Sequence, residues 1–249
     1  MPAAPRDTPF LAVLIDADNI PARHAAAILD EIASYGEPSL RRVYGDWSSS
    51  ALSQWKEQAR DLGLVMHQQS ANTKGKNASD IGLVIDAMDI LHAGKVDGFV
   101  LVSSDSDFTR LASRIREDGL QVIGIGEGKT PESLRKVCNR FVLIENIVSS
   151  APAVTAKAGA RPDKSPEAST SAKESPALAI PLIRNAMKKI DPDQDDYGLG
   201  QIGQALSQLY PDFDSRTYGV AKLKDLLAKT GAFELFQDER KVWRVRDKA

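Results

Sequence analysis

The most informative segment of this sequence is Phe99-Val100-Leu101-Val102-Ser103-Ser104-Asp105-Ser106-Asp107-Phe108. Its unbroken apolar run is typical of a strand that is buried on both faces of a parallel sheet. The run ends on Ser-Ser-Asp-Ser-Asp, which would lie at the carboxyl end of the strand. In α/β proteins the ligand-binding and active sites commonly lie at this edge of the sheet. The alternative is that Asp105 or Asp107 only caps the following helix, although a cap uses a single such residue.

The alternation of strands and helices extends from residue 10 to residue 148. Strands are predicted at 10–15, 40–44, 64–69, 98–104, 120–125 and, as a last edge strand, 141–144. Helical patterns lie between them, and Ser79 is predicted to be the N-cap of a helix over 80–91. This spacing indicates βαβ units. The sequence therefore predicts one α/β domain with helices on both faces of a parallel sheet.

The remaining chain divides into a linker and a second domain. Residues 149–177 are rich in Ala, Pro, Ser, Lys and Glu, and they contain too few large apolar side chains to order themselves, so a flexible linker is predicted. A new apolar pattern begins at Leu178. It predicts three helices, the third starting near Val220, and a two-stranded hairpin, which together make a winged helix-turn-helix domain over 178–249.

Composition and charge narrow the classes of function. Residues 1–150 carry 16 Lys and Arg against 20 Asp and Glu, and residues 178–249 carry 12 against 11. A polyanion would therefore be bound through local patches or bound cations. Cys138 is the only cysteine, which excludes an internal disulfide and a thiolate metal cage. No run is long enough to span a bilayer and Met1–Pro9 lacks a signal-peptide core, so we expect a cytoplasmic protein without membrane contact.

Acidic side chains recur where predicted strands end and where one helix begins. Asp16 and Asp18, followed by the amide residue Asn19, come after the first strand, Asp80 lies at the helix start, and Asp105 and Asp107 come after the central strand. Two strands that flank the reversal of strand order bring their carboxyl ends to one crevice. Carboxylates there would repel one another unless Mg²⁺ or Mn²⁺, which prefer oxygen ligands, neutralised them. Such an ion activates water and polarises phosphoryl groups, as in many nucleases. The alternative is that these side chains do not form a common site, and that each only caps a helix or lies at the solvated end of a loop.

Three segments resemble the motifs of NYN domains, which are PIN-like ribonuclease domains related to limkain and LabA-type proteins. They are Leu14–Asn19, Lys76–Leu83 and Val102–Phe108, in the same order as in the family. The resemblance covers about residues 10–148. It implies a metal-dependent ribonuclease fold that cleaves RNA phosphodiesters with a metal-activated water.

The resemblance also implies roles for individual side chains. Asp16, Asp80 and Asp105 would hold Mg²⁺ or Mn²⁺ and act in catalysis, with Asn19 as an orienting residue or substrate contact. Asp107 would be a further metal ligand, unless it caps the helix instead.

Three more residues are candidates for binding the RNA. Ser104, by the same resemblance, would support the site and contact the substrate. Lys74 and Lys76 stand before Asp80, where they could bind RNA phosphates or form only a solvated loop.

The C-terminal part resembles an OST-HTH, or LOTUS, domain through Leu199–Leu206 and Pro211–Leu227. This resemblance implies a winged helix that binds RNA or docks to a protein, and its pairing with a NYN domain is a recurring arrangement. The predicted function is a cytoplasmic, metal-dependent endoribonuclease with its own RNA-binding module. The alternatives are a non-catalytic RNA-binding adaptor that keeps the PIN-like fold and a DNA-binding regulator that acts through the winged helix.

Overall fold

The computed structural model describes residues 8–68, 78–150 and 173–248. The chain divides into two compact units, the first of which runs to Val148. Within the described ranges, no helix combines the length and the apolar character needed to cross a membrane.

The first unit is an open sheet of parallel strands with helices between them. Its strands are β1 (Phe10–Asp16), β2 (Glu37–Gly45), β3 (Val65–Gln68), β4 (Gly98–Val102), β5 (Gln121–Gly126) and β6 (Arg140–Leu143). Its helices are α1 (Ala25–Ala33), α2 (Ser53–Asp61), α3 (Ala78–Ala93), α4 (Thr109–Glu117), α5 (Glu132–Val137) and α6 (Ile144–Ser150). The strand order is β3-β2-β1-β4-β5-β6, which confirms the predicted α/β fold.

The strand order reverses between β1 and β4. Every residue of β4 is buried, and β1 pairs with it in parallel, with Ile15 opposite Val102 at the carboxyl end. These are the strands that the sequence marks by unbroken apolar runs, because a strand covered on both faces has no polar side. Their carboxyl ends therefore flank the switch point, where open α/β sheets form a crevice.

Each face of the sheet has its own apolar core. One core joins alternate residues of β1 to α1, α2 and α6, with Ile28, Trp55 and Ile147 among its members. The other joins the intervening residues of β1 to α3, α4 and α5, with Leu83 and Leu111 among its members. Asp16 continues this second set of β1 residues, so its side chain points to the α3 face of the sheet.

Two local predictions in the first unit need correction. The helix α3 begins at Ala78, so Ser79 lies within it and is not its N-cap. The sequence also predicts no helix after β6, whereas α6 follows that strand directly. Ile144 and Ile147 have helical spacing and are buried, but two such residues are too few to distinguish a short helix from a loop.

The second unit combines three helices with a small antiparallel sheet. Its elements are α7 (Ile180–Ile190), β7 (Asp196–Gly198), α8 (Leu199–Leu209), α9 (Leu223–Thr230), β8 (Phe233–Gln237) and β9 (Trp243–Asp247). The sheet has the order β7-β9-β8, so the predicted two-stranded wing is corrected to three strands. The strand β7 is too short to show alternation, and only its pairing with β9 defines it. The third helix starts at Leu223, slightly later than predicted.

Most of the predicted linker, residues 151–172, lies outside the described residues. From residue 173 onward the chain is hydrogen-bonded within the second unit. The backbone N–H of Glu174 donates to the carbonyl of Thr217 at 3.0 Å. A 3-10 turn over Pro176–Ala179 then leads into α7. Regular structure therefore begins shortly before Leu178.

Candidate metal centre

Three carboxylates meet at the carboxyl edge of the parallel sheet. Asp105 and Asp107 follow β4, and Asp80 comes from the first turn of α3. One oxygen from each lies within 4.8 Å of the other two. Asp80 and Asp105 are partly buried, whereas Asp107 is exposed. The structure thus brings together three of the acids that the sequence predicted as metal ligands.

The electrostatics of Asp80 reflect this crowding. Burial, together with the negative charges of Asp16, Asp105, Asp107 and Asp18, raises the pKa of Asp80 to about 6. A carboxylate in such surroundings is ionised only at the cost of repulsion. A bound cation would reverse that cost, because each neighbouring charge would then face an opposite charge.

Asp105 is both a helix cap and a member of this cluster. Its Oδ1 accepts a hydrogen bond from the backbone N–H of Asp107 at 2.9 Å, so it is the N-cap of a 3-10 turn over Ser106–Phe108. Phe108 is buried and fixes this turn against the α3 face. The cap uses one oxygen of Asp105, and its other oxygen has no hydrogen-bond donor among the described residues. Capping and ion binding are therefore compatible at this residue.

Asp16 is the most buried of the four predicted metal ligands. It is only 1% exposed, and its carboxylate accepts four hydrogen bonds. The backbone N–H groups of Asp18 and Asn19 donate to Oδ1 at 3.1 and 3.3 Å. The Asn19 amide and the Ser103 hydroxyl donate to Oδ2 at 2.7 and 2.8 Å. Burial raises the pKa of Asp16, and the bonds from Ser103 and Asn19 oppose that rise.

Asp16 does not join the group within 4.8 Å that the described residues form. A carboxylate offers about four lone-pair sites, and here donors occupy all of them. Asp16 therefore holds the loop that follows β1 and adds negative charge beside Asp80. Asn19, predicted to orient the site or contact the substrate, donates its side-chain amide to Asp16.

Ser103 is a site residue that the sequence analysis did not single out. Its Oγ donates to Asp16 and accepts from the backbone N–H of Asp105 at 3.1 Å, so it connects the two strand ends. Strand alternation could have identified it. Phe99 and Leu101 of β4 belong to the α3 face, and the next residue in that alternation is Ser103.

The predicted substrate contacts are not all at the surface. Ser104 is 8% exposed, and its Oγ accepts from the backbone N–H of Glu127 at 2.9 Å. This position supports the loop after β5 and leaves little surface for an RNA contact. Lys74 and Lys76 lie outside the described residues.

A second polar group holds α3 in place. The carboxylate of Asp86 accepts hydrogen bonds from the guanidinium of Arg42 and the hydroxyl of Tyr44, both on β2. Nδ1 of His67 on β3 lies 3.8 Å from the same carboxylate. Burial opposes ionisation of Asp86, but the bonds from Arg42 and Tyr44 outweigh it and lower the pKa. Because Asp80 is on the same helix, this tether also determines where Asp80 lies.

The open parallel sheet and the carboxylate cluster at its switch point have the layout of a PIN-like domain. The family models agree with this class. The NYN domain model matches residues 10–145, and the OST-HTH/LOTUS domain model matches residues 171–245. The chain belongs to the NYN family and carries an OST-HTH/LOTUS domain after its NYN domain. NYN domains are typically ribonucleases, and OST-HTH domains bind RNA.

Two solved structures show distant similarity to this chain. A protein of unknown function, VPA0982, from Vibrio parahaemolyticus RIMD 2210633 is 21% identical, with a TM-score of 0.48, over 57% of this chain and 96% of that one. MurG from Acinetobacter baumannii is 12% identical, with a TM-score of 0.37, over 89% of this chain and 70% of that one. At these values neither likeness bears on function. A search of curated proteins gave no significant match.

Proposed function

We propose that this protein is a metal-dependent endoribonuclease in which Asp80, Asp105 and Asp107 hold Mg²⁺ or Mn²⁺. One observation carries the proposal: oxygens of these three side chains, from two elements well separated in the sequence, lie within 4.8 Å of one another at the switch point. The OST-HTH domain supplies additional RNA binding. As the sequence analysis expected, the proposed place of action is the cytoplasm.

The residues of the cluster suit a hard divalent cation. All three donors are carboxylates, which Mg²⁺ and Mn²⁺ prefer to nitrogen or sulfur. Burial and the neighbouring carboxylates raise the pKa of Asp80 to about 6, and a cation would relieve the part that comes from the neighbouring negative charges. When bound there, the ion would supply the polarised phosphoryl group and the activated water of phosphodiester hydrolysis.

The protein's own residues hold the site in shape. Asp105 is fixed by its cap to the Asp107 backbone, and Ser103 joins it to Asp16. We assign Asp16 and Asn19 a positioning role, because direct binding of a metal by Asp16 would require it to lose a donor. Such preorganisation matters because carboxylates that are already in place need not be ordered during the reaction.

The second candidate is a non-catalytic RNA-binding protein with the same fold. It is favoured by the hydrogen-bond saturation of Asp16, which leaves that predicted catalytic residue without an open ligand position. In this case the cluster would bind a cation only to support the fold or to contact a phosphate.

A cleavage assay separates the two candidates. Purified protein is incubated with end-labelled single-stranded RNA in the presence of Mn²⁺, Mg²⁺ or EDTA. We expect internal cleavage with metal and none with EDTA. Intact RNA under all conditions, together with measurable RNA binding, would favour the non-catalytic protein.

A further inference from the structure

The cations of the OST-HTH domain differ in whether a carboxylate pairs with them. Four of its arginines are paired with carboxylates. The pairs are Arg184 with Asp247, Arg216 with Asp214, Arg244 with Asp196, and Arg246 with Glu234 and Asp196. A paired guanidinium has its charge neutralised and part of its donor set occupied. These arginines are therefore poorly placed to bind a further anion.

The outer face of the three-stranded sheet is neutral for this reason. Arg244 and Arg246 alternate along β9 on that face. Arg246 also lies over the ring of Phe236, 4.9 Å from its centroid. The arginines alone would suggest that this face binds RNA. Because they are paired with carboxylates across the strands, they stabilise the sheet instead.

Among the described cations of this domain that make no ion pair, four lie where α9 begins and where the wing turns, whereas others lie in the last turns of α7 and α9. The ammonium of Lys224 lies 3.4 Å from the centroid of the Trp243 ring, which brings the first turn of α9 beside the start of β9. Within residues 173–248, Lys222, Lys224, Arg240 and Lys241 have no carboxylate at ion-pair distance. A ring quadrupole attracts Lys224 without cancelling its charge, so its position is restricted while it remains available to an anion.

The wing turn that carries two of these cations is closed by its own hydrogen bonds. Oδ1 of Asp238 accepts from the backbone N–H groups of Arg240 and Val242, both at 2.9 Å. The backbone N–H of Lys241 donates to the carbonyl of Asp238 at 2.9 Å. Asp238 therefore holds the turn in shape, and its carboxylate keeps its negative charge. Together with the exposed acids Asp225 and Glu239 it supplies three negative charges against the four positive ones.

We propose that Lys222, Lys224, Arg240 and Lys241, with Trp243 beneath Lys224, form the RNA backbone-binding surface of this domain. We call it the α9–wing surface. The identification of the bound polyanion as RNA rests on the proposed function. The expected ligand is RNA bound through its phosphates, because the surface offers point charges and few groups for reading bases.

The test measures binding of labelled single-stranded RNA to the full-length protein in EDTA, so that cleavage does not interfere. A triple variant carries Lys222→Gln, Lys224→Gln and Lys241→Gln. The matched control carries Lys188→Gln, Lys189→Gln and Lys229→Gln, which remove three charges from the last turns of α7 and α9. For single strands, each lost phosphate contact lowers the slope of log affinity against log salt by about 0.7. We expect the triple variant to lose about two units of slope and at least about tenfold in affinity. The control should bind as wild type.

A second measurement tests the role of the ring. In a double-mutant cycle of Trp243→Leu and Lys224→Gln, we expect each single variant to weaken binding and the double variant to be no weaker than Lys224→Gln alone. Additive losses would contradict the idea that the ring acts through Lys224.

Other outcomes separate the inference from the proposed function. If the triple variant and its control weakened RNA binding equally, the RNA would be attracted by positive charge anywhere on the domain. That result would overturn the α9–wing surface. Displacement of RNA by an equal concentration of duplex DNA would overturn RNA as its ligand. If wild-type protein bound no RNA at all, the proposed RNA function itself would fail.

Discussion

Ser103 at the end of β4 donates its hydroxyl hydrogen to Asp16 at the end of β1, with an Oγ to Oδ2 distance of 2.8 Å. The same hydroxyl oxygen accepts from the backbone N–H of Asp105. One buried side chain thus connects the two strand ends at the switch point through hydrogen bonds. The shape of the cluster therefore depends on a residue that does not belong to it.

We expect Ser103→Ala to destabilise the protein by about 1–3 kcal/mol, because it leaves a buried carboxylate with one donor fewer. It should also reduce RNA cleavage, since Asp105 loses a backbone anchor. Urea unfolding gives the first quantity and the cleavage rate the second. Ser113→Ala is the control: it removes a hydroxyl that donates within α4. Equal stability of the two variants would show that the bond to Asp16 contributes little.

Asp105→Asn should reduce RNA cleavage about a hundredfold or more while RNA binding is kept or improved. An asparagine Oδ1 can still cap the turn at Asp107, so the fold should be retained while a ligand charge is lost. Cleavage rate and RNA affinity are measured on the same preparation, with thermal melting as the folding control. Asp89→Asn, an exposed acid on α3, should cleave as wild type. A folded Asp105→Asn protein with the wild-type rate would assign the cleavage to another site or a contaminant.

Mg²⁺ or Mn²⁺ should raise the melting temperature, because an ion that binds only the folded protein stabilises it. Asp80→Asn should lose most of this response, since it removes one of the three clustered carboxylates. Differential scanning fluorimetry across a metal titration measures the effect. Identical shifts in wild type and variant would remove the basis for a site that includes Asp80.

The stability of the metal-free protein should fall as the pH rises through about 6. Asp80 has a folded pKa of about 6 against an ordinary value of 3.8, so folding favours its protonated form. That contribution is complete below the ordinary value and is lost above the folded one. Urea unfolding in EDTA at a series of pH values measures it. Asp80→Asn should flatten the dependence, and a profile that is unchanged in this variant would contradict the assignment.

Asp86→Ala should destabilise the first unit by about 2 kcal/mol, because it leaves the Arg42 charge and the Tyr44 hydroxyl without their acceptor. Asp89→Ala, on the same helix but exposed, should change the free energy of unfolding by less than about 0.5 kcal/mol. Urea midpoints compare the two variants. Similar midpoints would show that α3 is held by its apolar contacts alone.

The sequence by itself determined the class of fold and the order of its parts. Unbroken apolar runs such as Phe10–Ile15 mark strands that are covered on both faces, and residues with helical spacing mark the helices between them. The positions of Asp16, Asp80 and Asp105 at element ends also follow from local patterns. Local periodicity is sufficient here, because each pattern depends on residues that are neighbours in the chain.

Only the tertiary structure decided which of these side chains meet. It placed Asp80 beside Asp105 and Asp107, because α3 is packed and tethered across the sheet. It also gave Asp16 its fourth donor, Ser103 from the end of β4, and it buried Ser104, and both outcomes depend on contacts between segments that are distant in the chain. In the second unit it paired the short strand β7 with β9. Hydrogen bonds between distant segments depend on strand register and helix position, which the whole packed core determines.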